Sequence, residues 1–234
     1  MANLTQLKMI EDLDGFLLVD KPVGIAFATV VKTVKRKFNL VKVGHGGSLD
    51  ATASGLFVLA LGDANKFTDR IMGADRAYEG KIRFGQKTDT GDVYGRPEGA
   101  ASDARPDAAK LAAALAEFRG DVFQVEPRFC SIRREGTAAY DIADTGDHRQ
   151  FLAHVYRFDV AADGAFALRA SKGVLPRALV RDLGDALGCG AALESLRRTS
   201  VGPFDVKDAI SFDRLLETGL ADFASCVTPI AKAF

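Results

Sequence analysis

The segment Lys42-Val-Gly-His-Gly-Gly-Ser-Leu-Asp-Ala-Thr-Ala-Ser-Gly55 leads directly into the apolar run Leu-Phe-Val-Leu-Ala-Leu over 56–61. Four glycines surround one histidine, His45, and one aspartate, Asp50. Glycine permits backbone shapes that other residues resist, and it lets a ligand approach the main chain. An aspartate just before a buried strand is held on a rigid element, which is where a nucleophile or general base is useful. Aspartate and glycine are also ordinary turn residues, so this loop alone does not establish chemistry.

The composition is that of a folded protein without a membrane span. The chain has 234 residues, of which 47% are hydrophobic, enough for one large domain or a body with a lobe. No apolar run approaches the roughly 20 residues that a membrane-spanning helix needs. Residues 1–14 lack the basic and apolar regions of a signal peptide. Cys130, Cys189 and Cys226 are scattered without metal-ligand spacing, which predicts a reduced, cytoplasmic protein without disulfides or zinc.

The net charge is zero, with 31 basic and 31 acidic residues. A nucleic-acid partner therefore requires that the positive charge be localised. The sequence has three local basic clusters, which are Lys32, Lys35, Arg36, Lys37 and Lys42; Arg128, Arg133 and Arg134; and Arg197 with Arg198. Each cluster alone is more typical of a solvated face. Acidic residues concentrate in 89–107, 141–147 and 205–217, which predicts a polarised surface.

The apolar pattern predicts alternating strands and helices. Strands are predicted over 16–19, 55–61, 77–85, 151–160, 164–171 and within 191–206. Helices are predicted over about 27–38, 64–72, 106–119 and 176–187. Residues 86–105 are predicted to form a surface loop, and 121–150 to be irregular. This mixture indicates the α+β class.

Further motifs extend the glycine-rich loop into an ordered set. Those that carry the argument are Val19-Asp-Lys-Pro22, Gly44-His45, Leu49-Asp50, Ser54-Gly55, Thr88-Asp-Thr90, Ser171-Lys-Gly173, Asp182-Leu-Gly184 and Leu196-Arg-Arg198. Together they resemble the TruB-type pseudouridine synthases, which form pseudouridine-55 in the T arm of transfer RNA. The resemblance runs in order from about Gly15 to about Val206. No single motif is decisive, but the ordered set is highly specific.

The resemblance implies a pseudouridine synthase fold, with a central mixed, mostly antiparallel sheet flanked by helices and loops. It implies a catalytic domain over 15–210, preceded by an extension over 1–14 and carrying an RNA-clamping thumb over about 121–150. Residues 211–234 are expected to be a short tail, without the full C-terminal RNA-binding domain that many members carry. The implied partner is RNA, namely the T arm of transfer RNA, and a monomer is expected.

The resemblance also implies the catalytic residues. Asp50 corresponds to the essential aspartate, Tyr78 to the tyrosine that stacks on the flipped base, and Arg177 to the arginine that pairs with the aspartate. A cation beside a carboxylate favours its ionised form and fixes its direction. Arg181, one helical turn further on, matches a helix position instead. The alternative for Tyr78 is simple packing in the core.

Other residues are implied to bind RNA or support the loop. His45 corresponds to the histidine that fills the space left by the extruded uridine, although a loop histidine bonded to the backbone is the alternative. Leu196 corresponds to the apolar residue at the base pocket, and core packing is its alternative. Lys21 belongs to the lysine–proline motif that braces the catalytic loop. The expected phosphate contacts in the thumb are Arg128, Arg133 and Arg134.

Isomerising uridine requires breaking the N1–C1′ bond, rotating the base and forming a C5–C1′ bond. We expect no metal, redox cofactor or nucleotide cofactor. A carboxylate can serve by adding to the base or to the sugar, or by taking the C2′ proton to leave a glycal. The sequence leaves these three routes open.

Some positions depart from the family pattern, and they keep a second interpretation open. Gly46 stands for a threonine, Ala51 for a proline, and Leu175-Pro176 for a Tyr-Ile pair. The second interpretation is an RNA-binding factor for transfer RNA folding, with weak or no catalysis. A dinucleotide-binding loop is excluded because Leu49 stands where G-x-G-x-x-G needs glycine. A hydrolase built from His45, Ser48 and Asp50 is a poor fit, because neighbours on one loop seldom form the required relay.

Overall fold

The computed structural model describes residues 13–102, 105–127 and 150–234, together with the backbone of 133–134 and 137–138. The strands are β1 (Gly15–Lys21), β2 (Val43–His45), β3 (Ser54–Leu61), β4 (Arg76–Phe84), β5 (Lys87–Thr88), β6 (Pro97–Glu98), β7 (Gly120–Val125), β8 (Arg133–Arg134), β9 (Thr137–Ala138), β10 (Gln150–Val160), β11 (Ala165–Ala170), β12 (Ala191–Val201), β13 (Phe204–Asp205), β14 (Ile210–Ser211) and β15 (Val227–Thr228). The α-helices are α1 (Phe27–Lys37), α2 (Thr68–Gly73), α3 (Ala108–Glu117), α4 (Pro176–Ala186), α5 (Phe212–Glu217) and α6 (Leu220–Phe223). Two compact units are formed, one by Met1–Arg76 with Arg197–Phe234 and the other by Ala77–Leu196.

The first unit has a mixed sheet centred on β3. Strand β3 pairs antiparallel with β1 and β2, and parallel with the part of β12 that belongs to this unit. Every residue of β3 except Ser54 is buried, which explains why its sequence is a continuous apolar run instead of an alternating one. Phe16 and Leu18 of β1 pack with Leu56 and Val58 of β3 in the core.

Gly55 occupies a special place in this sheet. It is the partner of Lys21 on β1 and of Arg198 on β12. The register therefore places two long cationic side chains on either side of the point where the glycine-rich loop becomes a strand. Both side chains are buried, Lys21 with 0% and Arg198 with 2% of its surface exposed.

The second unit has an antiparallel sheet in which β10 pairs with both β7 and β11, and β4 lies next to β11. Helices α3 and α4 bury Leu111 and Leu115, and Leu179 and Leu183, respectively. Helix α4 begins at Pro176, where the missing backbone N–H of proline breaks no hydrogen bond within the helix.

The predicted α+β class with mixed, mostly antiparallel pairing is confirmed, and the predicted strands and helices are found with small shifts at their ends. One shift has a clear cause. The side chain of Asp107 accepts hydrogen bonds from the N–H groups of Ala109 and Lys110, so it caps α3, and the helix begins after the position predicted from Pro106. Across the described ranges, no helix has the length and apolarity that crossing a bilayer requires.

The prediction that 121–150 is irregular was wrong at its start, because β7 is a six-residue strand. Its pattern misleads because the residue it buries completely is polar, Gln124, whereas Phe123 is 69% exposed. Most of the remaining segment lies outside the described residues. Residues 210–211 and 227–228 pair with β1. The domain boundaries at 14 and 210 stay a prediction.

Gly55→Ala is expected to destabilise the protein more than Gly24→Ala. Both glycines have positive φ, +101° and +89°, but a Cβ at Gly55 would lie 2.3 Å from the carbonyl oxygen of Arg198, whereas a Cβ at Gly24 would meet nothing within 4 Å. Each change imposes backbone strain of about 1 kcal/mol or more, and only Gly55→Ala adds a steric cost of roughly 1–3 kcal/mol. Urea unfolding of both variants measures the difference. Equal losses would contradict the close approach of β3 and β12.

Candidate active site

Arg198 holds the glycine-rich loop from within the core of the first unit. Its Nε donates a hydrogen bond to the carbonyl oxygen of Leu56 at 2.8 Å, and its Nη1 donates to that of Ser48 at 2.8 Å. Its Nη2 makes a longer contact of 3.5 Å to the carbonyl oxygen of Gly47. A buried guanidinium is stable only when its donors are satisfied, and here backbone carbonyls on both sides of Asp50 satisfy them.

Lys21 is the second buried cation at this loop. Its Nζ donates hydrogen bonds to the carbonyl oxygens of Pro22 at 2.8 Å and Ile25 at 3.0 Å, which closes the turn between β1 and α1. Burial lowers the pKa of Lys21 from 10.5 to about 8, although the negative charge of Asp50 opposes this effect and Arg198 adds to it.

Asp50 is half-buried and lies at the turn that these cations support. The N–H of Gly24 donates to the carbonyl oxygen of Ala51 at 2.7 Å, and the N–H of Ala53 donates to that of Asp50 at 3.1 Å. The first bond ties the turn closed by Lys21 to the residue after Asp50. Together the two bonds fix the backbone on each side of Asp50. They do so even though Ala51 lacks the rigidity of a proline. These backbone bonds fix the turn that carries the carboxylate of Asp50.

His45 lies at the start of the same loop. Its Nδ1 accepts a hydrogen bond from the N–H of Gly47 at 3.3 Å, so the proton of the neutral ring is on Nε2. The ring makes an edge contact with Phe27 at 5.3 Å and lies over Phe57 at 5.9 Å between centroids. His45 is therefore bonded to the backbone of its own loop, which was the alternative to a role in RNA binding. The rings of Phe27 and Phe57 also contact the imidazole, and the role implied for His45 stays a prediction.

The departure at Gly46 has a packing reason. A Cβ at this position would lie 2.4 Å from the Cγ2 atom of Ile71 and 3.4 Å from the Cβ of Val58. Ile71 is 1% exposed and fills the space that a threonine side chain would need. The loop therefore accepts glycine here because helix α2 supplies the missing volume.

Arg177 and Arg181 of the second unit have different surroundings. The Nη1 of Arg177 donates to the carbonyl oxygen of Thr90 at 3.0 Å and lies 3.9 Å from a carboxylate oxygen of Asp92. Arg181 donates through Nε to Asp182 at 2.7 Å and through Nη2 to the carbonyl oxygen of Val125 at 3.1 Å. Arg177 thus binds the Thr-Asp-Thr motif, whereas Arg181 ties α4 to β7, as expected for a helix position.

Tyr78 and Leu196 are both buried within the second unit. Tyr78 on β4 is 6% exposed, and Leu196 on β12 is 8% exposed. A core position and an apolar base pocket both require such burial. The roles implied for these two residues therefore stay predictions.

Two of the three basic clusters differ in what the structure describes of them. Arg197 forms a two-pronged ion pair with Asp20, at 2.9 and 2.7 Å, and Arg198 is buried, so this pair was wrongly grouped as a surface cluster. Arg128 lies outside the described residues. Only the backbone of Arg133 and Arg134 is described, as β8, so the phosphate contacts expected of these three arginines stay a prediction.

Comparison with known protein families identifies the family of this chain. The model of the TruB family pseudouridylate synthase N-terminal domain matches residues 35–162, and that of the tRNA pseudouridylate synthase B C-terminal domain matches 177–230. The chain belongs to the TruB family. Among TruB family members, the tRNA pseudouridine synthase B of Burkholderia pseudomallei (strain 668) is 39% identical over 213 residues, with 87% of this chain and 69% of the relative covered. That of Gluconacetobacter diazotrophicus is 41% identical over 215 residues, with the same coverage.

Solved structures show the same fold. A chain in the structure of an H/ACA RNP bound to a substrate RNA containing 2′-deoxyuridine has a TM-score of 0.70 and 24% identity. A chain in a Cbf5-Nop10-Gar1 complex has a TM-score of 0.70 and 25% identity. This TruB family chain is covered to 97% in each case, but it spans only 62% and 63% of those chains. The pseudouridine synthase fold implied by the motifs is confirmed.

Arg198→Met is expected to lower the free energy of unfolding by roughly 3 kcal/mol or more, because it leaves buried carbonyl groups without donors. The matched control is Arg197→Met, which removes a half-exposed ion pair worth less than about 1 kcal/mol. Urea unfolding of both variants tests this difference between sequence neighbours. Similar, small losses would contradict the bracing role of Arg198.

Lys21 should make stability depend on pH above about 8. In the unfolded chain the lysine titrates near 10.5, whereas in the folded protein its pKa is about 8. Between these values the unfolded state binds more protons, so stability rises with pH by about 1.4 kcal/mol per unit. Below pH 8 the contribution is constant.

Urea unfolding of the parent protein and of Lys21→Met at pH 7.5, 8.5 and 9.5 measures this effect. The parent should gain stability relative to the variant across the upper two values. A constant difference between the two proteins would contradict the lowered pKa of Lys21.

Proposed function

We propose that this TruB family member isomerises uridine to pseudouridine in transfer RNA, at position 55 of the T arm. One observation carries the proposal. The carboxylate of Asp50 stands on a loop whose flanking carbonyl groups are held by the buried guanidinium of Arg198. Because the backbone that carries this carboxylate is already held, the loop does not have to be ordered when a substrate arrives. The relatives named tRNA pseudouridine synthase B support the choice of reaction and of substrate.

The reaction moves one bond and one proton. The N1–C1′ bond breaks, the C5–C1′ bond forms, and the proton on C5 leaves while N1 gains one. Asp50 is the group proposed to act on the nucleotide, either by adding covalently to it or by taking the C2′ proton. Lys21 interacts electrostatically with Asp50 within the first unit, and Arg198 binds carbonyl groups of the loop that carries this carboxylate.

Further residues are proposed to act on the extruded nucleotide. Tyr78 stacks on the base and moves the C5 proton, Leu196 forms an apolar wall of the base pocket, and Arg177 orients the catalytic carboxylate. His45 takes the place of the extruded uridine, and its support by Phe27 and Phe57 suits a ring that must fill a base-sized gap. Filling this gap offsets part of the few kcal/mol that base extrusion costs.

The remaining proposals concern the partner. RNA is recognised by its shape and by the splayed loop, and not by the reading of a helix groove. The thumb arginines, Arg128, Arg133 and Arg134, contact phosphates. The protein acts as a cytoplasmic monomer and needs no cofactor.

Asp50→Asn is expected to reduce pseudouridine formation by at least about a thousandfold, because an amide is neither a nucleophile nor a base. The measurement is tritium release from a transfer RNA transcript labelled with [5-³H]uridine. The matched control is Asp63→Asn, which changes an exposed carboxylate paired with Lys66 and should leave the rate unchanged. Filter binding should show that both variants retain the RNA.

A transcript with cytidine at position 55 tests the site of reaction and should release no tritium. Release from that transcript would contradict the proposed position. Binding by the parent protein without any release would contradict the enzyme proposal and would favour a factor that acts on RNA folding through binding alone.

A further inference from the structure

Helix α1 carries a basic face that the proposed reaction does not use. Lys32, Lys35 and Arg36 are exposed. Lys35 and Arg36 come three and four residues after Lys32, so the three cations lie on one side of the helix. Val30 and Val34 lie on the other side and are buried. We call the three cations the α1 basic face.

The described neighbours of the α1 basic face do not neutralise it. None of its three members has an ion-pair partner within 4.0 Å among the described residues. Residues 21–49 include six lysines and arginines but no aspartate or glutamate, although the whole chain carries 31 residues of each sign. A merely solvated helix face usually mixes both signs, with acidic and basic residues four apart.

Two simpler explanations account for only part of this pattern. Cations in the last turn stabilise a helix through its dipole, which covers Lys35 and Arg36 but not Lys32 in the middle of the helix. An anionic membrane surface also attracts cations, but an interfacial helix needs a free apolar face. Here Val30 and Val34 are already used in the core.

We propose that the α1 basic face binds the phosphate backbone of the RNA substrate outside the reacting nucleotide. The inference rests on the proposed function, since it takes a structured RNA as the partner. The face supplies three positive charges that have no ion-pair partner within 4.0 Å among the described residues, and it has no aromatic side chain on which a base could stack. It therefore adds affinity and steers association, but it does not select sequence.

The test is the salt dependence of binding to an unmodified transfer RNA transcript. In the triple variant Lys32→Gln, Lys35→Gln and Arg36→Gln, the slope of log Kd against log[KCl] should fall by about 2 units, since each lost phosphate contact removes roughly 0.7–0.9. The dissociation constant at 100 mM KCl should rise roughly tenfold or more. The kcat at saturating RNA should stay unchanged.

The matched control removes the same charge elsewhere, through Lys66→Gln, Lys207→Gln and Arg214→Gln. Each of these cations is exposed and has an acidic partner two or three residues away, namely Asp63, Asp205 and Glu217. The control should keep the parental salt slope. Thermal unfolding of all variants verifies that the fold is retained, and glutamine keeps helix propensity close to that of lysine and arginine.

Three results would overturn the proposal. The first is an equal loss of affinity in both triple variants, which would indicate a general charge effect. The second is an unchanged Kd in the α1 variant. The third is a loss of binding to vesicles of phosphatidylserine and phosphatidylcholine with transfer RNA binding intact, which would indicate a membrane partner.

Failure of this proposal can be told apart from failure of the proposed function. Tritium release by the parent protein, with an α1 variant that binds normally, rejects the basic face alone. A parent protein that neither binds transfer RNA nor releases tritium rejects both proposals.

Discussion

Two buried cations that bind backbone carbonyl groups are the constraint on which the glycine-rich loop depends. Charged groups are expensive to bury unless every donor finds an acceptor. Arg198 and Lys21 meet this condition with carbonyl oxygens on the loop and on the preceding turn. Gly55 lies between them in the sheet register. The absence of a side chain there allows the two strands to bring both cations to the loop.

The fold was predictable where burial follows the apolar pattern. Strand β3 is a continuous apolar run because it is buried on both faces, and α1 repeats its valines at helical spacing. The glycine-rich loop was also recognisable, because glycine clusters mark places where the backbone must take unusual shapes. The shape of the backbone at such places depends on the local residues, so the amino-acid sequence alone indicates where the loop lies.

The features that sequence reasoning missed depend on partners that have no side-chain signature. The adjacent residues Arg197 and Arg198 are typical of a basic surface cluster. In the structure Arg198 lies in the core, whereas Arg197 pairs with Asp20. The carbonyl oxygens that hold Arg198 exist at every position of every chain, so no pattern points to them. Strand β7 was missed for a related reason: Gln124 is completely buried and its side-chain oxygen accepts from the N–H of Leu175 at 2.7 Å.

The division of the chain into units also has a consequence for biosynthesis. The first unit is assembled from two stretches separated by the whole of Ala77–Leu196, and the bonds of Arg198 to the loop join residues 142 and 150 positions apart. Contacts of such long range form late and slowly. On the ribosome, the contiguous unit Ala77–Leu196 is therefore free to fold first. The loop around Asp50 acquires its brace only after residue 198 has emerged from the ribosome, so the conformation of this loop depends on a residue synthesised about 150 positions later.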